Sequence, residues 1–244
     1  MDIIHKTILD SFHEKHIAGL TISPNATHPT YQIDIAIGTC KSDDDERNLI
    51  LTSPITIDIT ASGENGLDTG SEAASSWYYV WLIYNPTTDT YKGLFSLSST
   101  SPTLPEGYVY KRRIGVVRNS VGSDFLNFRM IGNGVRRRYE YNEDRYGVLR
   151  VLSNGTATIW TDIDVSSVVP PTAIVLIIEA HQSGTPNGQL RDDGYSFDSG
   201  QWIVRPGNSS DQISIINVGQ TIEYKNSGAG SSFYVDVLSF EEDL

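Results

Sequence analysis

Apolar and polar residues in this chain change their period once, near residue 19. Before it, Ile4, Ile8, Leu9 and Phe12 fall at i, i+4, i+5 and i+8. That is one stripe of a 3.6-residue period and predicts an α-helix over residues 2–17. Lys15 and His16 suit its dipole near the end, and Gly19 supplies a stop. A helix of about four turns is marginal alone. It must dock on its own domain, on a partner protein, or on copies of itself.

From Leu20 onward the period is two. Tyr31, Ile33, Ile35 and Ile37 alternate with polar residues, and Ile55-Thr56-Ile57-Asp58-Ile59-Thr60 repeats the pattern after Pro54. Residues 61–76 read as a loop. Trp77–Tyr84 and Tyr91–Ser96 are strand-like runs either side of Asn85-Pro86-Thr87-Thr88-Asp89-Thr90, a hairpin signal. Trp77, Tyr79, Trp81 and Ile83 should share one face, and Tyr78, Val80, Leu82 and Tyr84 the other. Both faces are large, so the strand should be covered twice, by its own core and by a second layer or a neighbouring subunit. Further strands are expected at 108–110, 114–118 and 125–130. Gly132-Asn133-Gly134 and the charged stretch to Tyr146 mark a boundary.

Beyond it, Asn154-Gly155 predicts a hairpin turn between 148–152 and 156–161. Ala173–Ala180 is a continuous apolar run and should be a central strand, Gln182–Gly200 a polar loop, and four more strands follow. The predicted fold is all-β: two β-sandwich, jelly-roll-like units preceded by a short N-terminal α-helix. The divisions are 1–18 (helix), 19–133 (first sandwich), 134–147 (charged linker) and 148–244 (second sandwich).

The stretch from Trp77 to Gly115 also carries a resemblance. Trp-Tyr-x-Val-Trp-Leu-Ile-x-Asn-Pro-Thr-Thr, then Leu94-Phe95-Ser96, Pro102–Tyr108 and Lys111-Arg112-Arg113-Ile114-Gly115, is similar to a segment of tailed-bacteriophage and prophage virion proteins described as tail fibre or tail proteins. The likeness extends upstream through Gly19-Leu20, Asp34-Ile35-Ala36, Gly38-Thr39-Cys40 and Gly66–Gly70, and covers roughly residues 19–132. It is looser at the C-terminus. It implies a virion protein that attaches by its N-terminal part, presents its C-terminal part to a host-surface polysaccharide, contacts other tail proteins and forms a homotrimer. It resembles no catalytic signature.

Charge and composition narrow the partners. With 244 residues the chain has ample length for a core, and no run of about 18 apolar residues that would cross a membrane as a helix. The first residues lack the basic-then-apolar pattern of a secretory signal. A net charge of −12 disfavours nucleic acid and anionic membranes as partners. The single cysteine, Cys40, excludes an intrachain disulfide and suits folding in a reducing cytoplasm, which the resemblance would make that of a host before assembly into a virion.

Candidate chemistry is thin. Asp43-Asp44-Asp45-Glu46 and Asp192-Asp193-Gly194 lack the alternation of a Ca²⁺-wrapping loop and read as solvated turns. A glycosidase needs two carboxyls about 5–10 Å apart across a cleft. Thirty acidic residues supply such pairs by chance, and the long repetitive body of a depolymerase is absent from the sequence. His5, His13, His16, His28 and His181 read as surface residues. No enzyme activity, metal or cofactor is expected.

The interface candidates are Ile4, Ile8 and Phe12 on the helix, Trp77, Tyr79 and Trp81 on the aromatic strand, and Arg112 and Arg137 in the two basic clusters. The alternative for Lys111-Arg112-Arg113 is a charged sheet edge. Tyr195, Phe197 and Trp202, in or beside the polar loop, are the candidate glycan contacts, because aromatic rings stack on sugar faces. Rival readings are a baseplate, adaptor or capsid decoration protein without a receptor role, a glycan hydrolase, and a lectin-like domain on a prophage remnant.

Overall fold

The structure, a computed structural model, describes residues 14–144, 147–198, 200, 202–205, 210–216 and 219–244. Among these residues the protein is all-β, with no helix. The chain divides into two compact units, one of residues 1–137 with Leu244 and one of 138–243.

The first unit contains three small sheets. In one, β1 (Ile17–Gly19), β4 (Gly38–Lys41) and β5 (Asn48–Leu51) lie in the order β1-β4-β5. In a second, β2 (Ile22–Pro24), β3 (Gln32–Ile35) and β6 (Ile55–Asp58) follow one another. The third is ordered β10-β8-β9-β7, from β7 (Gly66–Leu67), β8 (Ser76–Asn85), β9 (Thr90–Ser96) and β10 (Tyr110–Asn119). β11 (Phe128–Ile131) and the opening Arg136 and Arg137 of β12 (Arg136–Tyr141) also fall in this unit.

β8 is the centre of the first unit. Its inner face, Tyr78, Val80, Leu82 and Tyr84, is fully or nearly buried. Gly93 of β9 sits opposite Leu82, and a Cβ there would lie 2.3 Å from Ile57 Cγ2 and 2.7 Å from Ile35 Cδ1. The missing side chain lets the sheet of β3 and β6 pack directly on this one. The outer face is covered by cations. Arg118 lies over Trp77 at 5.4 Å, Arg113 over Tyr79 at 5.7 Å and Lys111 over Trp81 at 5.6 Å. The pairing of β10 with β8 produces this ladder: Arg118 is opposite Trp77 and Arg113 opposite Trp81, with a bulge between Arg113 and Gly115. Both faces of the strand are therefore covered within one chain.

The second unit is built from two larger sheets. One runs β12-β20-β15-β18, from β15 (Ala173–Ser183), β18 (Ser210–Ile216) and β20 (Ser232–Asp243), with β13 (Arg150–Gly155) also pairing to β20. The other runs β14-β19-β16-β17, from β14 (Thr161–Asp164), β16 (Gly188–Asp192), β17 (Trp202–Val204) and β19 (Thr221–Asn226). The two sheets meet across Phe233 and Tyr224, whose rings stack at 5.8 Å. Gly188 gives Phe233 room, since a Cβ there would sit 2.2 Å from its ring.

Four expectations are corrected. The C-terminal end of the predicted helix is a turn and then β1: Lys15 has φ +56°, which ends right-handed helix, and Ile17 is buried opposite Cys40. Residues 2–13 of that helix, with Ile4, Ile8 and Phe12, lie outside the described residues. The charged stretch 134–147 is not simply a linker. It holds β12, in which Arg137 and Tyr139 are buried while Arg136 is exposed, a period-two pattern hidden by charge. Asn154-Gly155 closes no hairpin, because β13 pairs with β20 and β14 with β19. Gly155 is small because the Tyr224 ring would be 2.7 Å from its Cβ. The polar segment 182–200 holds the end of β15 and all of β16, with Leu190 fully buried.

Cys40 is buried on β4. Burial pushes its thiol up to about 12, more than the charge of Arg112 pulls it back, and Asp43 adds to the rise. The reactive species is the thiolate. Iodoacetamide at pH 8 is therefore expected to leave Cys40 unlabelled in the folded protein and to label it fully in denaturant. Mass spectrometry showing equal labelling in both conditions would contradict this placement.

Candidate functional site

The outward face of the second unit's smaller sheet carries its densest side-chain chemistry. Arg191 pairs with Glu223, and Gln189 with both Lys225 and Ile203, so these residues share a face. The opposite face, Leu190, Ile222, Tyr224 and Val204, is core. Arg191 and Glu223 form a two-pronged ion pair at 2.6 and 2.9 Å. Trp160, just before β14, lies across this face. Its ring is 4.1 Å from the Arg191 guanidinium carbon and 4.8 Å from Lys225 Nζ.

Trp160 and Lys225 hold down the loop that follows β16. The indole Nε1–H donates to Asp198 at 3.2 Å, and Lys225 Nζ reaches the same oxygen at 2.8 Å. Arg191 donates to the Phe197 carbonyl, and Gly200 closes a turn onto the same atom. Gly200 has φ +71°, and a Cβ would lie 2.9 Å from the Trp160 ring, so only glycine passes there. At the crest of this fastened loop Phe197 is 64% exposed, with its ring 5.3 Å from the half-buried Tyr195. A side chain of this size is normally covered. Here its backbone is held so that it stays outside. The pair offers a partly exposed aromatic surface, and aromatic rings stack on the C–H face of a sugar.

No known family model matches this chain, and a search of curated proteins finds no match.

The structure brings together two of the three predicted contact residues. The Tyr195 and Phe197 rings meet at a tilt of 48°, whereas Trp202 sits opposite Leu190 on β17 and so shares the core face. Trp160, Arg191, Lys225 and Asp198 were not singled out from sequence. Their signal lies in strand register, which joins positions far apart in the chain.

The predicted interface residues are largely internal. Trp81 is 1% exposed, Tyr79 is buried and Trp77 half-buried. Arg112, expected at an exposed edge or subunit contact, is buried and donates to the carbonyls of Lys15 and Leu244 at 3.3 and 2.8 Å. Arg137 is fully buried and ties the carbonyls of Gly19 and Gly132. Both arginines tie loops of the first unit. The acidic run 43–46 is a hydrogen-bonded turn: Ser42 donates to Asp44, and Lys111 pairs with Asp43 at 3.2 Å. Among the described residues no group of three or more His, Cys, Asp or Glu gathers in a metal-holding arrangement.

The contacts of Asp198 are expected to weaken in acid. The hydrogen bond and charge of Lys225, then the bond from Trp160, hold the Asp198 carboxyl below its ordinary range. A depressed carboxyl stabilises the folded arrangement above the ordinary value, and that contribution is lost as pH falls through the lowered one. Below about pH 4 the loop is expected to loosen. The Trp160 indole N–H resonance should shift at that pH in the parent protein and not in Asp198→Asn. An identical shift in both would place the acid response elsewhere.

Proposed function

We propose that this protein is a non-enzymatic component of a tailed-bacteriophage virion, a tail fibre or fibre-like protein that contacts a host-surface glycan through its second unit. The observation that carries the binding half is the fastened loop 193–198 holding Phe197 outward beside Tyr195. The virion half is supported by the resemblance of residues 19–132 to tail proteins. We read the two units as jelly-roll-like β-sandwiches, the first serving attachment to other tail proteins and to sister chains in a trimer. The protein assembles in the host cytoplasm and works on the virion surface, with no nucleic-acid partner and no membrane insertion.

Immunogold labelling of purified virions tests the assignment. Gold at the tail tip or on fibres supports it. Gold over the capsid sinks it and makes the chain a decoration protein. The binding half is tested with purified host polysaccharide on a sensor surface. Phe197→Ala is expected to lower affinity at least tenfold with no change in thermal midpoint, since the side chain is mostly in water. Unchanged affinity would remove the loop from the reading.

A further inference from the structure

We propose that Asn133 is a modification site, whose side-chain amide is lost spontaneously to a mixture of aspartate and isoaspartate ahead of every other Asn-Gly pair in the chain. Asparagine is among the residues that fail first on long exposure to warm water. The weak point is an asparagine followed by glycine, because no Cβ hinders the next backbone nitrogen from reaching the side-chain carbon. Four such pairs occur: Asn65-Gly66, Asn133-Gly134, Asn154-Gly155 and Asn187-Gly188. Sequence treats them alike, and the fold separates them.

Three of the pairs are locked. Asn65 Oδ1 accepts from the Gly93 amide at 3.0 Å, and the Gly66 N–H, on the nitrogen that would attack, is donated to the Gly63 carbonyl at 2.9 Å. Gly155 is buried in β13, and the Tyr234 hydroxyl donates to Asn154 Oδ1. Gly188 is buried in β16 between β17 and β19, and the Asn187 carbonyl accepts from the Ser227 amide at 2.8 Å. The fourth pair is open. Asn133 is exposed in the turn between β11 and β12. Neither its side chain nor the Gly134 N–H has a hydrogen-bond partner among the described residues. A Cβ on Gly134 would meet nothing within 4 Å, so the space beside the pair is free.

The reaction needs only solvent. The Gly134 nitrogen gives its proton to a base in water and bonds to Asn133 Cγ. The Cγ–Nδ2 bond breaks, and ammonia leaves with the proton it gains. Water then opens the five-membered imide at one carbonyl or the other, to aspartate or to isoaspartate, with no change of oxidation state. Either product adds a carboxylate to a chain already at −12. Isoaspartate does more, because the main chain then runs through the former side chain and is one carbon longer. The carbonyl that accepts from the Gly19 N–H at 3.1 Å becomes a carboxylate off the chain. Arg137 holds the neighbouring carbonyls of Gly132 and Gly19, so the altered turn keeps a tether that the fold already supplies. The inference does not rest on the host-contact reading, because these residues all belong to the first unit.

Peptide mapping by mass spectrometry tests it, on the full chain held at pH 8 and 37 °C and sampled over weeks. A parallel sample in guanidinium chloride reads the four pairs without the fold, and there they should convert at similar rates. In the folded protein Asn133 should convert at least about tenfold faster than each of the other three, which must first open locally. Gly134→Ala should slow Asn133 by about tenfold or more, since the added Cβ hinders the attacking nitrogen. It should keep the parent's thermal midpoint, because that Cβ meets open space and the backbone at Gly134 is not left-handed. Three results overturn the proposal: Asn133 intact in the folded protein after full conversion in denaturant, another pair keeping pace with it, or conversion at the parent's rate in Gly134→Ala.

Discussion

Asp236→Ala is expected to destabilise the second unit by about 3–5 kcal/mol. The Asp236 carboxylate receives two parallel bonds from Arg150, Nε and Nη2, each at 2.8 Å. Asp236 is buried on β20, and the arginine is mostly covered and lies 5.0 Å over the Tyr234 ring. Removing the carboxylate takes both of these bonds from a guanidinium that has already lost most of its water. The pair also sets the register of β13 on β20, since Arg150 is directly opposite Asp236. Urea unfolding followed by circular dichroism measures the loss. Replacing both partners together, Arg150→Met with Asp236→Leu, should recover most of it, because no charge then remains buried. A single variant with the parent's midpoint would show that the pair behaves as an exposed one, worth at most about 1 kcal/mol.

Trp81→Ala should cost the first unit a similar amount, about 3–5 kcal/mol. Trp81 sits mid-strand in β8, its indole N–H donates to the Ser98 carbonyl at 3.3 Å, and Lys111 covers its ring. Truncation opens a cavity the size of an indole between a sheet that cannot collapse and a lysine whose stem has lost its support. Trp81→Phe keeps most of the packing and loses the bond to Ser98, so a cost near 1–2 kcal/mol is expected. Denaturant titration of the two variants gives the comparison. Equal costs would mean that the indole nitrogen, rather than the ring's bulk, carries the site.

β8 was legible because its own residues declare it: eight aromatic or aliphatic side chains in a row, followed by a turn whose Asn85 side chain accepts from the Thr87 and Thr88 amides. Its cationic cover was half legible. Lys111, Arg112 and Arg113 were visible as a cluster, but alternation sends Lys111 and Arg113 outward over rings and Arg112 inward to two carbonyls. A run of like charges hides such alternation, and β12 was misread for the same reason. Asn154-Gly155 misled because glycine serves close approach as readily as turning. At the candidate site, Phe197 and Tyr195 were findable from a polar loop holding rings. Trp160 was not, because its partners Arg191 and Lys225 come from separate strands. Trp202 was misplaced because one residue of register decides whether a ring faces core or solvent.

The cation ladder over Trp77, Tyr79 and Trp81 has a consequence for ionic strength. Exposed ion pairs such as Lys92 with Glu64 fade as counterions accumulate, since the Debye length is already about 8 Å at 0.15 M. A ring quadrupole acts only at contact and offers no net charge for counterions to neutralise, and the rings under Arg113 and Lys111 are buried. The rings therefore give these three cations a hold that dissolved ions barely reach, beside ion pairs such as Lys111 with Asp43 that salt weakens. In saline surroundings the share of the hold that comes from the rings grows.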